Sequence, residues 1–297
     1  QKWLFVGFFI AFAIKAPLVP FHTWLPDAAA ESTPGTAVLL VGVLDKVGTF
    51  GMLRYCLELF PEASTWATPL VIALAVIGII YGALLAIGQN DIKRLIAYTS
   101  VSHFGFIVLG VFVMTSQGQS GSALYMVNHG FSTAALFLIG GFLISRRGSR
   151  MIDDFGGVQK VAPVLAGTFL IAGLSSLALP GLSSFVSEFL VLQGTFLRYP
   201  WVGVVATLGI VLAALYILLM YQRTMTGPVP DAVRDTVGDL KGREVLSIAP
   251  LLVVIVVLGF YPQPVLDVVN PAVDRVMTAV GATDPAPEVP VAEGTQK

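Results

Sequence analysis

Between Arg94 and Arg146 the chain carries no Asp, Glu, Lys or Arg. The same holds for residues 63–90, 161–187, 199–222 and 245–266. So many long uncharged stretches cannot all be wrapped inside one soluble core, whereas a bilayer asks for roughly 20 apolar residues per crossing helix. Composition agrees, since 56% of the 297 residues are hydrophobic and 12% are charged. The charged share is about half the roughly 25% of soluble domains. The sequence predicts an all-α, polytopic transmembrane helix bundle. The period-two alternation of a membrane β-barrel is not found in it.

The same numbers exclude several function classes. Lys plus Arg is 17 and Asp plus Glu is 18, a net charge of −1, so there is no basic excess to bind nucleic acid through its phosphates. A disordered chain would be polar and charged. Cys56 is the one cysteine, which excludes an internal disulfide and a cysteine-held metal cluster. No phosphate-binding glycine loop or H-E-x-x-H spacing occurs, and His22, His103 and His129 lie far apart in sequence. No cofactor is expected in this chain.

The expected spans lie near 1–15, 34–58, 67–88, 92–114, 121–145, 162–196 (interrupted), 200–223 and 246–265, about eight in all by the bilayer-length rule. The polar stretch Thr115–Gly121 divides the longest uncharged run. Residues 1–265 read as the transmembrane domain. Residues 266–297, acidic and proline-rich toward their end, read as a largely disordered tail. Gln1-Lys2-Trp3 opens almost inside an apolar helix with neither an initiator Met nor a signal-peptide pattern. A missing amino-terminal portion is therefore expected. Lys93, Arg94, Arg146, Arg147, Arg150, Lys160, Arg223, Arg234, Lys241 and Arg243 sit in alternate loops. The positive-inside rule places those loops in the cytoplasm and the carboxy terminus on the other side.

Ionisable groups at bilayer depth are costly and mark ion or proton paths. Four qualify: Lys15, Lys46, His129 and Glu188. Each has a plainer reading. Lys15 could snorkel to the surface, Lys46 could pair structurally with Asp45, His129 could be a packing residue, and Glu188 could pair with a neighbouring helix. Four such groups on separate spans exceed what packing requires. Two spans also contain prolines in mid-course, at Pro17–Pro20 and at Pro180. Proline removes a backbone donor, and broken helices in membranes line polar cavities. Burial disfavours the charged form of amines and carboxyls alike. Two unit charges about 7 Å apart at an effective dielectric near 20 interact by ~2.4 kcal/mol, enough for one site to load or unload the next. Tyr98, Thr99, Ser100, Ser102, His103, Ser132 and Thr133 are candidate connectors, each with the alternative of bonding its own helix backbone.

Three stretches carry a resemblance. Lys15-Ala-Pro-Leu-Val-Pro-Phe-His-Thr-Trp-Leu-Pro-Asp27 and Asp91-Ile-Lys-Arg-Leu-Ile-Ala-Tyr-Thr-Ser-Val-Ser-His103 resemble the characteristic motifs of the antiporter-like subunits of respiratory complex I. Gly259-Phe-Tyr-Pro-Gln-Pro264 is similar to the end of one chain type in that family. The resemblance implies a fourteen-helix fold with two inverted five-helix repeats, and proton translocation driven by quinone reduction elsewhere. It matches Lys15 to the lysine of the first broken helix and Lys46 to the lysine linking two half-channels. His129 then lies on the central polar axis, and Glu188 is the exit-side acid of the second broken helix. Lys93 and His103 lie in the second motif without a settled role. The family's first six helices, with the glutamate that would pair with Lys15, have no counterpart here. The expected partners are the other membrane subunits of complex I, neighbouring antiporter-like subunits included, with FMN, iron–sulfur clusters and quinone in partner subunits. The expected location is the bacterial plasma membrane. A subunit of a multisubunit sodium/proton antiporter is the alternative.

Overall fold

The computed structural model describes residues 1–286. Its helices are α1 (Lys2–Lys15), α2 (Trp24–Glu31), α3 (Pro34–Leu57), α4 (Pro61–Ile87), α5 (Ile92–Phe112), α6 (Ser116–Arg147), α7 (Pro163–Ser176), α8 (Ser183–Arg198), α9 (Pro200–Met225), α10 (Asp231–Thr236), α11 (Gly242–Phe260) and α12 (Gln263–Val280). The starts follow local chemistry. Proline opens α4, α7 and α9, where its missing N–H costs nothing. Asp91 caps α5 by accepting from the Lys93 and Arg94 amides at 2.8 and 3.2 Å. α6 ends at Gly148 in the left-handed region, φ 71°.

Each expected span coincides with a helix, but not each is a full crossing. Among the described residues six helices are long and apolar enough to cross a membrane, or up to seven with a bent pair at 152–176. α1, α7 and α8 have 14, 14 and 16 residues, because a break shortens them. The tail also differs from expectation. Residues 263–280 form α12, whose Val273, Val276 and Met277 are buried. That spacing is an apolar helical stripe, and it docks against α6 through Ser120 Oγ–Asn270 Oδ1 at 2.8 Å. Residues 287–297 of the expected tail lie outside the described residues.

α5 is the buried mast of the bundle, lined by Phe104, Phe106, Ile107, Val108 and Leu109. It lies against α4 nearly backbone to backbone. A Cβ on Gly105 would meet Ala75 O at 2.7 Å, and one on Gly82 would meet Ser102 N at 2.8 Å. Small residues allow such approach in membrane bundles. Large apolar side chains such as Trp3, Leu70, Trp201, Val211 and Leu246 face outward, as a lipid-facing surface requires.

The basic loops meet at one end. Ile92 N donates to Arg150 O, Ile152 N to Asn90 O and Gly157 N to Thr226 O, at 3.0, 2.7 and 2.8 Å. Arg150–Asp91, Arg223–Asp153 and Arg146–Glu244 pairs at 2.7, 2.5 and 2.6 Å reinforce that end. The opposite end holds Ser116 N bonded to Asp284 Oδ1 at 2.8 Å and Arg198 bonded to Thr283 O.

Candidate functional site

The two proline breaks are settled by local hydrogen-bond exchange. Pro17 has no N–H for Ala13 O, so Ala13 O takes the Leu18 amide at 2.9 Å. Ile14 O, deprived of Leu18, takes the Trp24 indole N–H at 2.9 Å. This holds Lys15 at a helix end, its ammonium 5.4 Å from the Trp24 ring centre. At the second break the Leu179 amide reaches back to Leu174 O at 3.0 Å, and Ala178 and Gly181 take positive φ of 60° and 92°. α11 seals this break: a Cβ on Gly259 would lie 2.3 Å from Gly181 O. The third sequence motif thus has a packing reason for its glycine. α8 starts just beyond the break and carries Glu188 inward.

α3 is irregular where its charges sit. A π-turn covers Leu40–Leu44, and the Asp45 amide bonds Leu40 O at 3.1 Å. Val41 O, which that amide would serve in a regular α-helix, accepts from Lys46 Nζ at 2.5 Å. Such π-bulges recur at functional positions. Lys46 Nζ also lies 2.7 Å from His129 Nδ1 on α6 and 5.1 Å from the Phe104 ring centre. An ammonium only donates, so His129 Nδ1 accepts and its Nε2–H faces Thr133 Oγ1 at 3.1 Å.

The row continues across α5 to α8. The rings of His129 and His103 are 5.3 Å apart. His103 Nδ1 is 2.7 Å from Tyr125 OH, and Tyr125 OH donates to Glu188 Oε2 at 2.7 Å. A hydroxyl has one proton, so His103 Nδ1–H is the donor to Tyr125. Its Nε2 then accepts from Ser176 Oγ or Tyr216 OH, at 3.3 and 3.4 Å. His103, Tyr125, His129 and Glu188 are all buried. Glu188 Oε1 has no protein partner among the described residues. Asn128, one turn from Tyr125, steadies α8 by donating to Ser183 O at 2.7 Å.

Of the residues singled out from sequence, Lys46 meets His129 directly, His103 meets Glu188 through Tyr125, and the two pairs adjoin at the histidine rings. Lys15 joins through Asp45, 3.9 Å away. Its side chain is 34% exposed, but its ammonium turns toward that buried carboxylate rather than snorkelling. Lys93 does not join. It donates to Ala30 O at 2.6 Å and to Ser32 O, fastening the end of α2. Thr99, Ser100, Ser102 and Ser132 bond backbone carbonyls, whereas Thr133 meets His129. Tyr98 lies against the Arg94 guanidinium. Tyr125 and Tyr216 were not signalled by charge. The available signal was position, since Tyr125 and His129 share one helix face at i, i+4.

A helical membrane bundle with two interrupted spans and an interior row of ionisable side chains defines the antiporter-like class of membrane subunits. Residues 1–213 match the family described as NADH:quinone oxidoreductase/Mrp antiporter, transmembrane. The chain belongs to that family. It is 64% identical over 288 residues to NADH-quinone oxidoreductase subunit M of Mycobacterium tuberculosis strain H37Rv, covering 97% of this chain and 52% of that protein. The Rickettsia prowazekii protein of the same name is 43% identical over 277 residues, covering 93% and 56%. A chain of respiratory complex I from Thermus thermophilus superposes with a TM-score of 0.88 at 36% identity, covering 95% of this chain and 59% of that one. A chain of the Mrp complex from Dietzia sp. shares the fold alone, with a TM-score of 0.81 at 23% identity, covering 92% and 60%. The chain spans about half the length of the curated relatives it matches.

Proposed function

We propose that this chain is part of a proton-carrying membrane subunit of an NADH–quinone oxidoreductase. The observation that carries the reading is the row Lys15–Asp45, Lys46–His129, His103–Tyr125–Glu188, buried at every member but the two lysines. Its last three members can hold two hydrogen-bond polarities. With Glu188 ionised, His103 donates to Tyr125 and Tyr125 to Glu188. With Glu188 protonated, Glu188 donates to Tyr125 and Tyr125 to His103 Nδ1. Once His103 has taken a second proton on Nε2, passing between them moves one proton from its imidazolium to Glu188 and leaves His103 neutral with Nε2–H, no group moving by more than a bond length. Lys46 and His129 form the preceding pair, where an ammonium proton can pass to the imidazole.

On this reading residues 1–265 are the translocating domain in a bacterial plasma membrane. The end that gathers the basic loops faces the cytoplasm, by the positive-inside rule, and the carboxy terminus lies opposite. Redox chemistry belongs to partner subunits holding FMN, iron–sulfur clusters and quinone, with neighbouring antiporter-like subunits beside this one. The 64% identity to a subunit M, against fold likeness alone to the Mrp chain, favours this over a sodium/proton antiporter subunit. The test is Glu188→Gln in the full-length protein within the assembled complex. NADH-driven proton uptake by inverted membrane vesicles should be lost. Wild-type uptake by the assembled variant would overturn the reading.

A further inference from the structure

We infer that Asp45 is a proton-relay carboxylate that hands charge across α3, from Lys15 on one face to Lys46 on the other. The inference rests on the relay reading above and adds to it a member that sequence analysis treats only as a structural partner of Lys46.

The geometry separates the two adjacent side chains. Asp45 and Gly48 lie three residues apart, on one helix face. A Cβ on Gly48 would meet Ala16 N at 2.5 Å and Phe12 O at 2.6 Å, so that face is pressed against the break in α1. Asp45 accordingly faces Lys15, at 3.9 Å. Lys46 shares its face with Gly42, four residues earlier, and a Cβ on Gly42 would lie 3.6 Å from Gly130 O of α6. Lys46 accordingly faces His129. The Asp45 side chain is wholly buried, and neither carboxylate oxygen has a hydrogen-bond partner among the described residues. A buried carboxylate kept only as a static counter-charge is expected to be held by hydrogen bonds. This one is left free to receive a proton.

The step balances. Lys46 first gives a proton to His129 Nδ1 and becomes a neutral amine. The Lys15 side chain, on its flexible stem, closes on Asp45. One ammonium N–H bond breaks as an O–H bond forms on the carboxylate, leaving a neutral amine and a neutral acid. Lys46, now neutral, turns from His129 toward Asp45 on its own flexible stem; the O–H bond breaks as an N–H bond forms on its amine, and Asp45 is again a carboxylate. A proton has crossed α3 with no change in the chain's total charge beyond the one it carries.

The experiment places Asp45→Asn and Asp45→Glu in the full-length protein within the assembled complex, with assembly followed on native gels. D45N should lose NADH-driven proton uptake and D45E should retain it. A redox-triggered infrared difference spectrum should contain a protonated-carboxyl band that D45E shifts and D45N removes. Wild-type uptake in assembled D45N, or the same carboxyl bands in D45N as in wild type, would overturn the inference. If D45N fails to assemble, the band shift in D45E decides: a shifted band supports the inference and an unshifted one overturns it. Glu188→Gln run in parallel separates the two readings. Loss there with normal pumping in D45N defeats this inference alone, whereas normal pumping in E188Q defeats the relay itself.

Discussion

Tyr125 is the sharpest place to break the row, because one oxygen joins two groups that do not otherwise meet. Tyr125→Phe removes the 2.7 Å bonds to His103 and to Glu188 and leaves the ring in place. Glu188 Oε1 already lacks a protein partner among the described residues, so the substitution strips the second oxygen as well. A hydrogen bond to a charged group contributes about 2 kcal/mol and one to a neutral group about 1 kcal/mol. Together that is about 3 kcal/mol withdrawn from the connected state, or about a hundredfold in the rate of transfer at 1.36 kcal/mol per decade. The assay is the initial rate of NADH-driven proton uptake in inverted vesicles, normalised to assembled complex on native gels. A small, fully buried hydroxyl site lined by His103, Phe106 and Glu188 gives the lost oxygen no substitute. An assembled Y125F variant that pumps within twofold of wild type would refute the argument that this hydroxyl is the link.

Two further outcomes follow from parts outside the row. Lys93→Met should weaken the fold by about 1–3 kcal/mol, since the Ser32 carbonyl loses the Lys93 donor and the Ala30 carbonyl is left with Arg150; protons pumped per NADH by the assembled fraction should not change, and a fall in that ratio would return Lys93 to the relay. Asp239 caps α7 in a loop at the basic end: burial pushes its carboxyl up, but the Val164, Leu165 and Leu240 amides and Arg146 outweigh this and hold it below the usual carboxylate range. The stabilisation from a carboxylate so depressed is full above its unfolded pKa, about 3.9, and is lost as pH falls through the lower folded value. Acid melting of the solubilised complex should therefore be less steep in Asp239→Asn below about pH 4, and identical acid limbs would contradict the assignment.

What could be read from the sequence was whatever breaks an apolar pattern. Pro17 and Pro180 announced the two breaks, and Lys46, His129 and Glu188 announced the row, because charge or a missing amide is visible without coordinates. Tyr125 was hidden, since a tyrosine in an apolar helix is unremarkable until its hydroxyl is seen between two titratable groups. Asp45 was visible but misdirected. Adjacent helical residues point about 100° apart, and only the contact of Gly48 with Ala16 reveals which helix that face meets. Lys93 shared a motif with His103, yet ten residues of α5 carry the two side chains to different depths. α12 was missed because its acids and prolines outweighed a short apolar stripe, Val273, Val276 and Met277, that helical periodicity does record.

Part of the irregular backbone of this protein gathers beside the row. The interruption after Lys15, the π-turn before Lys46 and the left-handed residues before Glu188 all stand beside the ionisable side chains, while α5 runs between them as one unbroken helix. Carbonyls freed there are taken by side chains, Ile14 O by Trp24 and Val41 O by Lys46, so a partner can change without bending a whole helix. The helices can thus keep their places while hydrogen bonds are exchanged along one line of side chains.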